Sequence, residues 1–389
     1  MVLLGREITV LGAGIGGLTA ALCLAARGAQ VRVLEQADAI RKVGAGLQIS
    51  PNGFRVMAGL GLAEDLKSNS ILSKAVVLRD YRDGAEVVRM PLSSTPGFFL
   101  VHRADLIELL AGTAQAVGVT LELGRKVDQV VFDNGDTPQV RFADGSCEDV
   151  ELLVGADGLH SPVRRAVHKP ADPFFTGQVA WRMTLPQTQP PEACAQVFMG
   201  PGRHLVTYPL RNGSERNIVA VEERQRWTAE GWSHRDDPTR VARAFAGFTP
   251  RVRGWLESAR DVHVWGLFRH EVAPVWHKGK AVILGDAAHP TLPFLAQGAN
   301  MAIEDAWVLA ACLAEADTDA DAFARYQSLR LTRVRRAVSA ANTNAWAYHL
   351  PDGAVRTMAH AGLRILNRIA PAAPLRKFDW LYTADVTAN

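Results

Sequence analysis

Three short stretches carry residue types able to hold a phosphorylated, hydroxyl-rich ligand. Gly12-Ala13-Gly14-Ile15-Gly16-Gly17 stands near the start, Gly155-Ala156-Asp157-Gly158-Leu159-His160-Ser161 near the middle, and Gly285-Asp286-Ala287-Ala288-His289-Pro290 late. The first follows the apolar run Ile8 to Leu11 and precedes Leu18 to Arg27, whose spacing is helical. Val31 to Leu34 is a second strand, ended by Glu35. Together they make a βαβ unit of about 30 residues. Gly12 permits the tight turn, Gly14 lets a pyrophosphate approach the backbone, and Gly17 lets helix and strand pack closely. The helix N-terminus offers free N–H groups and partial positive charge to phosphates. Glu35 is placed to accept hydrogen bonds from an adenosine ribose. Alone, this unit does not separate NAD from FAD.

The other two stretches narrow the choice. Glu151 to Val154 reads as a strand that runs into Asp157, with Gly158 beyond it. An acid flanked by glycines can reach a ribose or ribityl hydroxyl without steric cost. A plain Asp-Gly turn explains the same residues equally well. Ala281 to Leu284 is another buried strand, ending at Asp286; Pro290 to Gly298 is a loop, and Asn300 to Leu313 a helix. A helix N-terminus at Gly298-Ala299-Asn300 would aim N–H groups at an anion, naturally the N1/C2=O end of a reduced flavin. The order of the three motifs points to a two-electron flavin enzyme fed by a reduced nicotinamide. No second GxGxxG follows a strand, so NADH and NADPH stay equally open.

In these motifs, in the pair His102-Arg103 before Asp105-Leu106, and in the run from Gly285 to Ala306, the chain resembles the single-component FAD-dependent aromatic hydroxylases. That group contains salicylate hydroxylase, 3-hydroxybenzoate 6-hydroxylase and 6-hydroxynicotinate 3-monooxygenase, and the likeness spans Ile8 to about Arg336. The resemblance implies non-covalent FAD, NADH or NADPH as donor, O2 as co-substrate and a C4a-hydroperoxyflavin oxidant. It gives Glu35 the adenosine ribose, Arg103 the adenylate-side phosphate or ribose, and Asp286 the ribityl chain. Asp157 and Gly158 would serve FAD and nicotinamide, and Gly298, Ala299 and Asn300 would line the isoalloxazine by backbone. Gly44-Ala45-Gly46-Leu47-Gln48 resembles the loop beside a mobile flavin ring. His204 and Tyr208 match a His-x-x-x-Tyr-Pro pattern in members that hydroxylate small phenols, where the His assists deprotonation and the Tyr orients the ring. A phenolate pushes more electron density onto its ortho and para carbons than a phenol, so a base with a pKa near working pH lowers the barrier. Gln48 stands where the hydroxynicotinate enzyme has His, and Pro293-Phe294-Leu295 is apolar where some relatives carry Gln or His. These departures favour a ring with an apolar edge. Arg182 suits a substrate carboxylate or, equally, an acid or backbone group of its own sheet.

The elements that must position these residues are also legible. The expected fold class is α/β: a Rossmann-like FAD-binding domain, an antiparallel-sheet substrate domain and a C-terminal helical region. The expected boundaries are 1–173 and 265–336 for the two parts of the FAD-binding domain, 174–264 for the sheet and 337–389 for the helices. Within the sheet, Val179 to Leu185, Ala195 to Met199, His204 to Leu210 and Asn217 to Glu222 read as strands, with turns at Pro201-Gly202 and Asn212-Gly213. Period-two alternation puts His204, Val206 and Tyr208 on one side. Arg330, Arg333, Arg335 and Arg336 read as a solvated helix face; Trp346, Tyr348 and His349 read as packing or partner residues. The 389 residues carry 43 Lys plus Arg against 40 Asp plus Glu, too even a balance for a nucleic-acid partner. The four cysteines are scattered without Cys-x-x-Cys, which fits a reducing cytoplasm and no metal site. No apolar run reaches the roughly 18 residues of a spanning helix. The expected partner is a small aromatic substrate, with a homodimer possible. Competing functions are a flavoprotein oxidase or dehydrogenase on the same fold, and a flavin-binding redox sensor without turnover.

Overall fold

The structure, a computed structural model, describes residues 3–40, 45–92, 97–169, 171–188, 191–226 and 234–388, with only the backbone of 134 and 343–347. Gly44 and the side chain of Trp346 lie outside the described residues.

The three motifs meet because the strands before them are neighbours. A six-stranded sheet orders His277–Lys278, Ala281–Ile283, Leu153–Gly155, Glu7–Leu11, Gln30–Leu34 and Thr120–Glu122. All but the His277–Lys278 edge pair in parallel. Thr9 lies opposite Leu153, and Leu153 opposite Ala281. The glycine loop, Asp157 and Asp286 therefore follow the C-terminal ends of three adjacent parallel strands, where open α/β sheets place their ligands. These strands are short and near-continuously apolar, as strands of a parallel sheet buried on both faces are. Ile15–Ala25 packs against Gly298–Glu315 on one face.

A second sheet has eight strands: His234–Arg235, His263–Arg269, Phe174–Pro186, Glu215–Glu223, Arg203–Leu210, Cys194–Gly200, Ala75–Asp80 and Glu86–Pro91. It reaches beyond residues 174–264. Ala75–Asp80 joins Cys194–Gly200 in parallel, with Glu86–Pro91 beyond it at the edge, a pairing that no local pattern announces because the partners are over a hundred residues apart. One face buries Trp181, Met183, Leu205 and Ile218 against Phe245, Val252 and Leu256. The opposite face buries Ala180, Val221 and Trp265 with Leu292 and Phe294 from the loop after Pro290. The long helix Asp319–Tyr348 runs through residue 336 without a break.

The arginines of that long helix do not form a solvated face throughout. Arg330 is 1% exposed. Its Nη1 donates to Glu304 Oε2 at 2.5 Å and its Nε to Asp305 Oδ1 at 2.7 Å. Arg333 Nε donates to Glu304 Oε2 at 2.8 Å. Two adjacent buried carboxylates on a neighbouring helix claim them, and only tertiary packing sets that pairing. We expect Arg330→Met to cost about 3–5 kcal/mol, since it strands buried charge. Thermal unfolding followed by circular dichroism reads this, and a loss under about 1 kcal/mol would contradict the neutralising role.

Candidate functional site

The groove begins at the glycine loop. Gly12 has φ +103°, and a Cβ there would stand 2.5 Å from the Ala156 carbonyl oxygen. A Cβ on Gly17 would collide with the Gly12 carbonyl, whereas one on Gly14 would meet nothing within 4 Å. The loop is thus jammed against the second motif on one side and open on the other. Glu35 lies beside it: Oε2 accepts from Ala13 N at 2.8 Å and Oε1 from Ala37 N at 2.9 Å. Each oxygen keeps a lone pair for a further donor.

The second and third motifs are stitched together by Arg164. Its guanidinium donates to the carbonyls of Ala287 at 3.2 Å and Glu271 at 2.7 Å. Ser161 caps the helix Pro162–Val167 by accepting from Arg164 N at 2.8 Å. Asp157 Oδ2 accepts from Val163 N at 3.3 Å, while its buried Oδ1 has no hydrogen-bond partner. Desolvation pushes this carboxyl up to about 6, against the pull of Ser161 and Val163. Gly158, with φ +76°, turns the chain beyond it. Asp286 is exposed in an otherwise buried run from 281 to 290. The protein crowding its side chain raises its pKa, which His289, Arg103 and His270 partly offset. A dinucleotide fits these features. An orphaned acceptor, an exposed acid in a buried run and a glycine loop open on one side are each completed by a ligand bearing hydroxyls and phosphates.

Gly298, Ala299 and Asn300 form the first turn of the helix Gly298–Glu315. Asn300 turns its side chain away to bind the chain opposite: Oδ1 accepts from Ser50 N at 3.0 Å, and Nδ2 donates to Gln48 O at 2.9 Å. The backbone of that turn is what remains for a ligand. Gly46 opens the strand Gly46–Ile49, and its N–H donates to Asn217 Oδ1 at 2.8 Å. A side chain on Gly46 would strike the Tyr208 ring, so the close approach here is between this strand and the eight-stranded sheet. Arg103 begins the helix Arg103–Ala116 and is exposed, near enough to Asp286 and Arg182 for its charge to act on both.

His204, Tyr208 and Arg182 share one face of the eight-stranded sheet. The register runs His204 to Val221 to Ala180 and Val206 to Val219 to Arg182 across neighbouring strands. His204 is not a surface residue; it is 1% exposed. The Phe294 ring lies 5.6 Å from it and the Tyr348 ring 5.2 Å. Pro293 opens the turn Pro293–Leu295 that delivers Phe294. Burial drives the His204 imidazole well below its ordinary pKa, helped by His349, and pushes the Tyr208 phenol up. The Arg182 guanidinium lies 4.9 Å over the Trp265 ring. Desolvation lowers it to about 10, with Tyr208 opposing and Arg103 adding to the fall. Sequence reading gave His349 only a packing or partner role and did not single out Glu223, which hydrogen-bonds in line with it and His204, or Asn217, which tethers Gly46. They belong to distant segments, and no spacing links them.

A family model described as an FAD binding domain matches residues 6–341. The 3-amino-4-hydroxybenzoate 2-monooxygenase of Streptomyces cremeus is 38% identical over 358 residues, covering 89% of each chain. The 6-hydroxynicotinate 3-monooxygenase of Bordetella bronchiseptica is 32% identical, covering 87% of this chain and 91% of that one. Among solved structures, Klebsiella pneumoniae HpxO complexed with FAD and uric acid superposes with a TM-score of 0.82 at 26% identity, covering 94% of each chain.

Asp157 offers a pH test. Its folded pKa, about 6, lies above the ordinary 3.8, so the stability of its neutral form is complete below about pH 4 and lost as pH rises through 6. FAD-free Asp157→Asn is therefore expected to melt above the FAD-free parent at pH 8 and level with it at pH 4. It should also bind FAD roughly tenfold more weakly, as the loss of one charge-assisted hydrogen bond implies. Melting curves against pH with a flavin fluorescence titration read both; no gain at pH 8 would refute the burial cost.

Proposed function

We propose, on the premise that this chain belongs to the FAD-binding-domain family, that it uses NAD(P)H and O2 to hydroxylate a small carboxylated phenol or heteroaromatic ring. The observation that carries this reading is a buried imidazole, a phenol and a desolvated guanidinium on one sheet face, opposite the strand Gly46–Ile49 and the Phe294 turn. The relatives' names support the chemical class.

FAD, when bound, supplies the two-electron redox chemistry and the activation of oxygen. The glycine loop and Glu35 would hold its adenosine diphosphate end; Arg103, Asp157 and Asp286 would hold the phosphate and ribityl region. The remaining work falls to the substrate face. Arg182 and Arg103 are like charges, and Arg182 is partly stripped of water, so a carboxylate entering between them relieves both costs. Tyr208, protonated at all working pH values, can donate its O–H to a ring substituent and fix the ring's rotation. His204, neutral over the same range, accepts the proton of the ring hydroxyl. Phe294 and Trp265 give the ring apolar walls and keep water from the reacting carbon. Free thiols at Cys23, Cys147, Cys194 and Cys312 support a cytoplasmic location, and no helix is long and apolar enough to cross a membrane among the described residues.

Hydroxybenzoates and hydroxypyridines are expected to stimulate NADH or NADPH oxidation and yield product carrying one atom from 18O2; no stimulation by any ring would refute the reading. Arg182→Met should raise KM for carboxylated rings roughly 10- to 100-fold and leave uncharged analogues nearly unchanged. His204→Gln should lower kcat about 100-fold or more while substrate still binds.

A further inference from the structure

His204 reaches solvent through two other side chains. Its Nδ1 lies 2.6 Å from Nε2 of His349. Nδ1 of His349 lies 2.7 Å from Oε1 of Glu223, whose side chain is 54% exposed. Two hydrogen bonds thus join a buried ring to water. The turn at Pro201-Gly202 secures the arrangement: Gly202 N donates to the His349 carbonyl at 3.3 Å, and Glu223 N donates to the Gly202 carbonyl at 2.9 Å. The two imidazole centroids are 4.9 Å apart.

The line dictates tautomers. An ionised Glu223 can only accept, so His349 donates from Nδ1 and accepts at Nε2. His204 must then donate from Nδ1, which leaves its Nε2 as the bare acceptor. The charged and titratable groups around the line are few. His204 faces His349 and the Tyr348 phenol, which burial pushes up to about 12. His349 faces Glu223, His204 and Arg203, and Arg203 is balanced by Glu222 at 3.6 Å. Burial makes an imidazolium at His204 costly, so a proton accepted there cannot stay.

We propose that His349 and Glu223 act through His204 as a relay that carries the ring hydroxyl proton to solvent. This rests on the function proposed above. Nε2 of His204 takes the proton as the substrate O–H bond breaks, and the bonding pair stays on the ring oxygen. The Nδ1 proton of His204 passes to Nε2 of His349, and the Nδ1 proton of His349 passes to the Glu223 carboxylate, which gives it to water. Both imidazoles begin and end neutral with their tautomers exchanged, Glu223 ends ionised as it began, and the negative charge left on the ring is balanced by the proton released to water. Reverse passage on product release resets the line.

The test uses FAD-loaded enzyme without oxygen or nicotinamide, mixed rapidly with 3-amino-4-hydroxybenzoate. Ring ionisation is followed by absorbance and proton release by an indicator dye. Wild type should ionise the ring and release a proton in step. Glu223→Gln and His349→Gln should each slow both signals at least tenfold, with flavin spectra unchanged, and added imidazole should restore much of the Glu223→Gln rate. Ionisation at the wild-type rate in both variants would overturn the relay and leave the proposed function standing. Slowing that tracks lost ring affinity and ignores added imidazole would make the line structural and also overturn it. A wild type that neither binds any ring nor oxidises NAD(P)H faster in its presence would overturn the function and the relay together.

Discussion

Glu304 and Asp305 sit side by side on one helix, sealed from water, and the groove is organised by the need to keep them charged there. Desolvation would raise both acids, but Arg330 with Arg333 outweighs it for Glu304, and His289 with Arg330 holds Asp305 at about 2. Their remaining lone pairs are used to place other parts. Asp305 Oδ2 accepts from Gly285 N at 3.1 Å and meets His289 Nε2 at 2.5 Å, fixing the third motif. Glu304 Oε1 accepts from Asn52 Nδ2 at 2.6 Å, and Ser50 and Gln297 continue the network to the turn where the helix begins. Buried charge of this kind tolerates no half-measures: every lone pair must be met or the cost is several kcal/mol. That demand gives three distant segments one geometry.

The sheet face that carries His204, Tyr208 and Arg182 follows the opposite rule. Its groups stand where burial disfavours charge. His204 and Tyr208 are held neutral by the same desolvation that Arg182 resists only because a guanidinium is so basic. On the function proposed above, a face with one cation, one neutral base and one neutral acid would suit a ring with a carboxylate and an ionisable hydroxyl. The two halves of the molecule therefore differ in kind: a frame of paired buried charges holds the strand ends, and a wall on which burial disfavours charge carries His204, Tyr208 and Arg182.

Much of this could be read in the chain before folding. The glycine loop with Glu35, the Asp157 turn and the Asp286 turn are local patterns, and a strand followed by glycine and an acid means much the same in any context. The alternation that puts His204 beside Tyr208 is equally local, as is the turn at Gly202. Arg330 shows where such reading stops. An arginine among arginines on a long helix looks solvated, and only the partner helix, with two acids at the contact, makes it buried. His349 is similar: it follows the long helix with nothing in its own segment to foretell its partner, yet it ends beside His204, 145 residues away.

The sequence by itself determined the three glycine-bearing turns, the strands that end in them and the faces of the central sheet strands. Each is set by backbone rules and by a period of two or 3.6 residues within a short window. Only the tertiary structure decided that Ala75–Asp80 would extend the sheet, that Arg330 would neutralise Glu304 and Asp305, and that Glu223 would reach His204 through His349. Those outcomes depend on which surfaces meet, and on the cost of burying a charge or an unpaired polar atom once they do. That cost arises only when water has been excluded by residues far apart in the chain.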